Sequence, residues 1–355
     1  MKVSNHTFLA NRLCLRMNIL TRKRDFLQSL ALHIPLKLSR LFAFGYEALV
    51  GHTVISLRAN ARLTKHGWST AKSKAWRLTT NKNLVAVFPA LFARLRTVVN
   101  SDIVAIDFSD FKNQWQVLMF AKQTREGRAL PLFFDVIVYP VKEGSQNLFI
   151  VAVIKQFIQL AACTPTLVFD RGFAIPHLIK FLAQNNIPFI IRIKRRKFVT
   201  VVKNRERRAV EDIGVTDALI EEWGVALRLV VSDTPEDGEP WYLITNDTKS
   251  TRTTIIDRYY HRFEIEEFFR DTKRLLGLEQ HQMQSPRSLS TLLWFVIIGT
   301  WFLHDCAEAL TLLQRRERAS WRVSGVRYVW EVMRREAWQA WASDVGTRAM
   351  RVKTV

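Results

Sequence analysis

From Ser101 onward the hydrophobic residues come in short runs bounded by turn formers, a pattern that predicts strands rather than helices. Ile103–Phe108, Trp115–Ala121 and Ala129–Tyr139 are three such runs in succession, with a turn around Arg125-Glu126-Gly127. Three consecutive strands of this length predict an antiparallel meander. The period then changes. Ser145–Ala161 reads as a helix, Thr166–Phe169 as a short strand closed by Asp170, Ile175–Gln184 as a helix and Ile187–Ile193 as a strand. The predicted order is βββ-α-β-α-β, an α/β unit with a mixed sheet.

The flanks read differently. Residues 1–98 are helical with loops: Pro35–Leu49 and Leu84–Val98 carry Leu, Phe and Ala at helical spacing, with Pro89 breaking or starting the second. Between them, Arg58–Lys82 is basic and polar and holds Lys65, His66, Lys72, Lys74 and Arg77 beside Trp68 and Trp76. A helical DNA-binding module and a plain structural cap both fit this stretch. After residue 200 a β-rich insertion is expected to residue 250, with a hairpin made of Val225–Ser232 and Trp241–Thr245 around an acidic turn, Thr234–Gly238. The basic run Lys194–Arg208 leads into it, as a solvated edge or as the border of a DNA channel. Residues 251–313 return to helix, opening on Thr254-Ile255-Ile256-Asp257, which reads as a capping box. Ser288–Leu313 is expected to be a mostly buried helix packed on the sheet. Residues 314–355 form a basic tail with Trp321, Trp330, Trp338 and Trp341, either an interaction surface or a helical lid.

Charge narrows the possible partners. The 53 Lys and Arg outnumber the 32 Asp and Glu, for a formal charge of +21, so a polyanion is the expected partner. The basic residues are spread along the chain among eleven Trp, which favours nucleic acid over a membrane surface. Cys14, Cys163 and Cys306 show neither paired nor metal-finger spacing, which suits a reducing compartment and argues against structural zinc. No signal-peptide core is evident, and the longest apolar run, Thr291–Leu303, falls short of the roughly 20 residues that span a bilayer. A soluble cytoplasmic protein is expected. No glycine-rich phosphate loop appears.

The stretch with the most chemistry is Tyr259–Gln280. At about 100° per residue, Tyr259, Arg262, Glu266 and Lys273 fall within an arc of roughly 60° on one helix. Ordinary i,i+4 pairing accounts for Glu266, Arg270, Lys273 and Arg274, and favourable charges near a helix end account for Lys273 and Arg274. Neither accounts for Tyr259. The spacing Tyr-x2-Arg-x3-Glu-x6-Lys resembles the signature of DDE transposases of the insertion-sequence-four type, and all four positions match. Asp107-Phe108-Ser109 is similar to that family's D-x-[S/T] element, and Asp170-Arg171-Gly172-Phe173 to its D-R-G-F turn. From the residues alone, each aspartate is also explained as a cap closing a strand. Asp102 and Asp110 are rivals to Asp107, the first lying before the strand and the second in the turn beyond it.

The resemblance covers about Ser101–Leu310 and implies a ribonuclease H-like catalytic domain, with the fourth strand parallel beside the first. Asp107, Asp170 and Glu266 would then be the catalytic, metal-binding carboxylates, and Tyr259, Arg262 and Lys273 would hold the DNA backbone. An all-oxygen set implies Mg²⁺, with Mn²⁺ possible, as two ions per active site. Phe263 and Trp241 are candidates for stacking a flipped base. The implied activity is strand cleavage at the ends of a bacterial mobile element and joining to target DNA. The implied partners are terminal inverted repeats, target DNA and a second copy of the chain, in the nucleoid. A transposase-derived DNA-binding protein without catalysis, and a nuclease that cuts without joining, remain open as alternatives.

Overall fold

A computed structural model of the chain describes residues 25–30, 32–49, 67–95 and 102–317, apart from 113, 126, 142–143, 162, 215, 234–238, 275–277 and 281–282. The expectations for Lys65 and His66, for the hairpin turn 234–238 and for the Trp-rich tail lie outside the described residues. The chain divides into two compact units, one of residues 95–269 and one that joins residues 1–94 to 270–355.

The first unit holds a ten-stranded mixed sheet. In chain order its elements are β1 Ile103–Phe111, β2 Trp115–Lys122, β3 Leu130–Val138, α4 Ser145–Leu160, β4 Thr166–Phe169, α5 Pro176–Gln184 and β5 Phe189–Ile193. They continue with β6 Phe198–Val201, β7 Arg207–Ala209, β8 Asp217–Glu222, β9 Val225–Val231, β10 Tyr242–Thr245 and helix α6 Arg252–Tyr260. Before them in the chain come helices α1 Leu36–Leu49, α2 Trp68–Thr80 and α3 Lys82–Leu95. The spatial order is β3-β2-β1-β4-β5-β10-β9-β8-β6-β7. β1, β4 and β5 run parallel and the remaining pairs antiparallel. This is the mixed sheet of the ribonuclease H-like class, with the predicted βββ-α-β-α-β order intact.

β4, the first half of β1 and most of β5 are buried on both faces, and there the sequences run hydrophobic without alternation. On one face Phe157 of α4 meets Phe120 at 4.6 Å and Phe133 at 6.0 Å between ring centroids. On the other, Ile255 and Tyr259 of α6 pack into Val168, Ile190, Val230 and Leu243. The β-rich insertion is no separate lobe. β10 pairs with β5, so the insertion prolongs the same sheet through β9, β8 and β6 to β7. β8 and β9 are joined by Trp223-Gly224, both with positive φ (54° and 74°), the geometry of a tight hairpin turn.

The basic run Lys194–Arg208 contributes β6 and part of β7, which periodicity did not reveal. Its cations are mostly spoken for locally. Arg195 and Arg196 face Glu211, Lys197 and Arg207 face Glu222, Arg205 faces Glu221, and Arg208 pairs with Glu206. A solvated, ion-paired edge therefore describes this run better than an open cationic rim.

In the other unit, α8 Pro286–Glu317 carries the long apolar run. Its Phe295 meets Phe42 of α1 at 5.5 Å and Phe88 of α3 at 5.6 Å, and Trp294 stacks on Phe88 at 5.3 Å. The sequence suggested that this helix packs on the sheet; its aromatic partners are the N-terminal helices. Gly45 of α1 permits the close approach, because a Cβ there would overlap the Phe295 ring and stand 2.9 Å from Leu78 Cδ1. Gly45→Ala is expected to destabilise this unit by about 1–3 kcal/mol through overpacking, read as a lowered thermal midpoint. Among the described residues no helix is long and apolar enough to cross a membrane.

Candidate active site

The register of β1 against β4 settles where the two aspartates stand. Ala105 pairs with Val168 and Ile106 with Phe169. The next step along both chains brings Asp107 beside Asp170, where β4 ends. Side chains alternate across a strand, so Asp107 shares a face with Ala105, and Asp170 with Val168. Val168 lies in the cluster under α6, and both carboxylates therefore emerge on the face covered by the signature segment.

β1 does not stop at Phe108. It continues beside β2 to Phe111, so Asp107 lies mid-strand and Asp110 is a strand residue opposite Gln116, not part of a turn. Three residues separate Asp110 from Asp107, which puts the two on opposite faces. Asp102 is exposed just before the strand. Only Asp107 of the three has the face and the register to meet Asp170.

Local bonds hold each carboxylate. Phe108 N donates to Asp107 Oδ1 at 2.8 Å. Asp170 caps the short turn Arg171–Phe173, accepting Gly172 N on Oδ1 at 2.8 Å. A Cβ at residue 172 would stand 3.0 Å from that oxygen, so the Asp-Arg-Gly-Phe sequence suits the cap. Phe173 then stacks on Phe108 at 5.5 Å, with planes 7° apart, tying the turn to the strand that carries Asp107.

The signature segment is not one uninterrupted helix. α6 opens at Thr251, whose hydroxyl accepts Thr254 N at 3.2 Å, three residues before the capping box read from sequence. A tighter 3₁₀ turn, His261–Phe263, follows, and then α7, Glu264–Arg274. The stripe expected from a constant 100° step is thus rotated at its middle. Arg262 falls in the turn with its side chain only 5% exposed, and its guanidinium bridges two of the acids. Nη1 lies 3.2 Å from Asp107 Oδ2 and Nη2 2.5 Å from Glu266 Oε1. Glu266 is half exposed, so it reaches this bridge from the rim.

Tyr259 departs from expectation. The sequence places its hydroxyl on an open stripe, yet Tyr259 is fully buried on the inner face of α6 and its hydroxyl meets no hydrogen-bond partner among the described residues. Arg262 Nε is likewise buried without a hydrogen-bond partner among the described residues. Burial pushes the Tyr259 phenol above its usual pKa, against the pull of Arg262 and Arg192. The Tyr259 ring lies behind Arg262, 5.8 Å from the guanidinium carbon. Lys273 lies seven residues beyond Glu266 on α7, half-buried, 3.6 Å from Glu279. Phe263 is 37% exposed under the Arg262 guanidinium at 4.6 Å, and Trp241 lies 6.0 Å from it. Tyr260, 61% exposed and 6.4 Å from Trp241, completes an aromatic ledge that the sequence reading did not include.

Electrostatics mark Asp107 as the unusual group. Burial pushes its carboxyl up to about 7; Arg262 opposes this, and the like charges of Asp170 and Glu266 add to it. Desolvated carboxylates that repel one another with only oxygen donors on offer suit a hard divalent cation. The spacing as it stands is looser than the donor chemistry: among the described residues no three acids, histidines or cysteines form a group able to hold a metal ion. The Arg262 guanidinium occupies the space between Asp107 and Glu266 where a cation would be welcome. The donor chemistry is that of a hard divalent cation such as Mg²⁺ or Mn²⁺, while Asp107 and Glu266 are held here by Arg262 and not gathered around an ion.

A family model described as the transposase DDE domain matches residues 108–302, more than half of the chain. The chain belongs to this family. The transposase match starts one residue after Asp107 and takes in Asp170 and the whole signature segment. Among solved structures the chain is similar to the piggyBac transposase of a synaptic complex with hairpin DNA, at 10% identity and a TM-score of 0.39. That alignment covers 77% of this chain and 61% of the other, so this chain spans under two thirds of that chain's length. No curated protein matches.

Proposed function

We propose that this transposase is of the insertion-sequence-four type, encoded by a bacterial element, and that it cleaves the element's ends and joins them to target DNA. The observation that carries the proposal is the register that sets Asp107 beside Asp170, with Glu266 tied to the same point through Arg262. In this reading Asp107, Asp170 and Glu266 hold Mg²⁺ or Mn²⁺ as two ions. Such ions would activate a water or a 3′-hydroxyl and stabilise the leaving oxygen of the phosphodiester.

The chain's own residues do the rest. Asp107 is desolvated, and Phe108 N holds its Oδ1 in place. Arg262 would hold the phosphate backbone with its guanidinium where its acidic partners are otherwise neutralised, and Lys273 would neutralise a neighbouring phosphate. Tyr259 supports Arg262 from behind. Phe263, Trp241 and Tyr260 offer flat faces for a base taken out of the stack. Terminal inverted repeats and target DNA are the partners, bridged by a homodimer in the nucleoid.

The experiment pairs a cleavage assay on element-end DNA with capture of a marked 3′ end into plasmid. Cleavage that depends on Mg²⁺ or Mn²⁺ together with capture supports the proposal. Cleavage without capture indicates a nuclease that does not join, and DNA binding without cleavage indicates a binding-only descendant.

A further inference from the structure

The turn between β2 and β3 grips the signature segment at one carboxylate that the site itself does not use. Glu264 is buried, 5% exposed, two residues after Arg262 and two before Glu266. Its Oε2 accepts Thr124 N at 2.8 Å and Arg125 N at 3.3 Å, and its Oε1 accepts Gly127 N at 3.3 Å and meets His261 Nδ1 at 3.0 Å. Its main-chain carbonyl accepts Ala129 N at 3.1 Å. Arg125 and Gly127 have positive φ, 63° and 80°, and the amides of Thr124, Arg125 and Gly127 meet on this one carboxylate as in an anion-binding nest. Around this centre Gln123 Nε2 donates to Arg258 O at 2.8 Å, Arg125 pairs with Asp257 at 2.5 Å, and Arg128 pairs with Glu267 at 3.1 Å.

We infer that Glu264 is a positioning residue for the metal site: docked in the amide nest of the β2–β3 turn, it fixes the bend between α6 and α7 so that Arg262 and Glu266 reach Asp107. The inference rests on the functional reading above. The 3₁₀ turn His261–Phe263 is the point where the segment could swing, and the nest clamps it from the far side of that turn. Both oxygens of Glu264 are taken up by the nest and His261, which leaves it no role as a ligand. A substitution here therefore acts through the placement of Glu266. An alanine leaves three amides without their acceptor. A glutamine keeps one acceptor oxygen but sets an N–H against a second amide, so it should fall between wild type and alanine.

The test uses the full chain as wild type, Glu264→Ala and Glu264→Gln. Amide exchange of residues 123–129 and 258–267 is expected to quicken by roughly tenfold or more in Glu264→Ala, with β8 and β9 unchanged. Mn²⁺ affinity, measured by calorimetry, should fall about 10- to 100-fold while the far-UV circular dichroism stays that of wild type, a split that simple loss of fold would not give. Should the alanine variant not fold, the same split read on Glu264→Gln decides. Wild-type protein that binds Mn²⁺, with folded variants that bind it equally well or exchange no faster, would overturn the positioning role. Wild-type protein that binds no Mn²⁺ would remove the functional reading and the role together, and the two failures are thereby told apart.

Discussion

Glu266→Gln is expected to lower divalent-dependent cleavage on the order of 10³-fold, with DNA binding changed by no more than about twofold. Glutamine keeps the shape of the side chain, and its carbonyl oxygen still accepts from Arg262 Nη2, so the rim of the site should stay folded. What it removes is the charge. Asp107 and Asp170 would then face the cations without the third acid, and one side of the reacting phosphodiester would lose its counter-charge. The measurement is a single-turnover time course on element-end DNA in Mg²⁺ and in Mn²⁺, beside a binding isotherm in Ca²⁺. A variant that cleaves within about tenfold of wild type would remove Glu266 from the chemistry.

The second large effect is on stability without metal. The Asp107 carboxyl lies near its usual 3.8 in the unfolded chain and is raised to about 7 in the folded one, so the folded state keeps its proton over that interval. The contribution from this group is therefore fully present below pH about 4 and is lost as pH rises through about 7. Its size is about 4 kcal/mol. Asp107→Asn has no such titration. The difference in unfolding free energy between variant and wild type should grow across this window and level off above it. Mn²⁺ should narrow that difference above pH 7 by stabilising wild type and not the variant. Urea melts at four or five pH values, with and without Mn²⁺, measure both. A flat difference would mean that Asp107 is not held in a desolvated, acid-flanked site.

Much of this arrangement was readable in the chain because its signals are local. Thr166–Phe169 is a short apolar strand closed by Asp170, and the structure places the strand on those residues. The parallel pairing of β4 with β1, implied by the family resemblance, is present. Three features escaped because they are set by contacts distant in sequence. The extension of β1 to Phe111 depends on pairing with β2, and it moved Asp110 from a turn to the wrong face. Tyr259 looked like part of a polar stripe, yet the position of α6 over Val168 and Leu243 buries it, and the 3₁₀ turn shifts the phase of the residues that follow. β6 and β7 were hidden in a run whose lysines and arginines mask its short apolar alternation. Glu264 was visible in principle: on α7 it is spaced i, i+4 with buried Phe268, and a carboxylate on a helix's inward face calls for a built partner.

The central claim is that Asp107, Asp170 and Glu266 form one cation-binding centre once Arg262 gives way. Anomalous scattering from crystals grown with Mn²⁺ and element-end DNA tests it most directly. The expected result is two manganese peaks about 3.5–4 Å apart, bounded by these three carboxylates, with the Arg262 guanidinium moved onto a phosphate. Peaks bound elsewhere, or none while Arg262 still bridges Asp107 and Glu266 in the DNA complex, would contradict it.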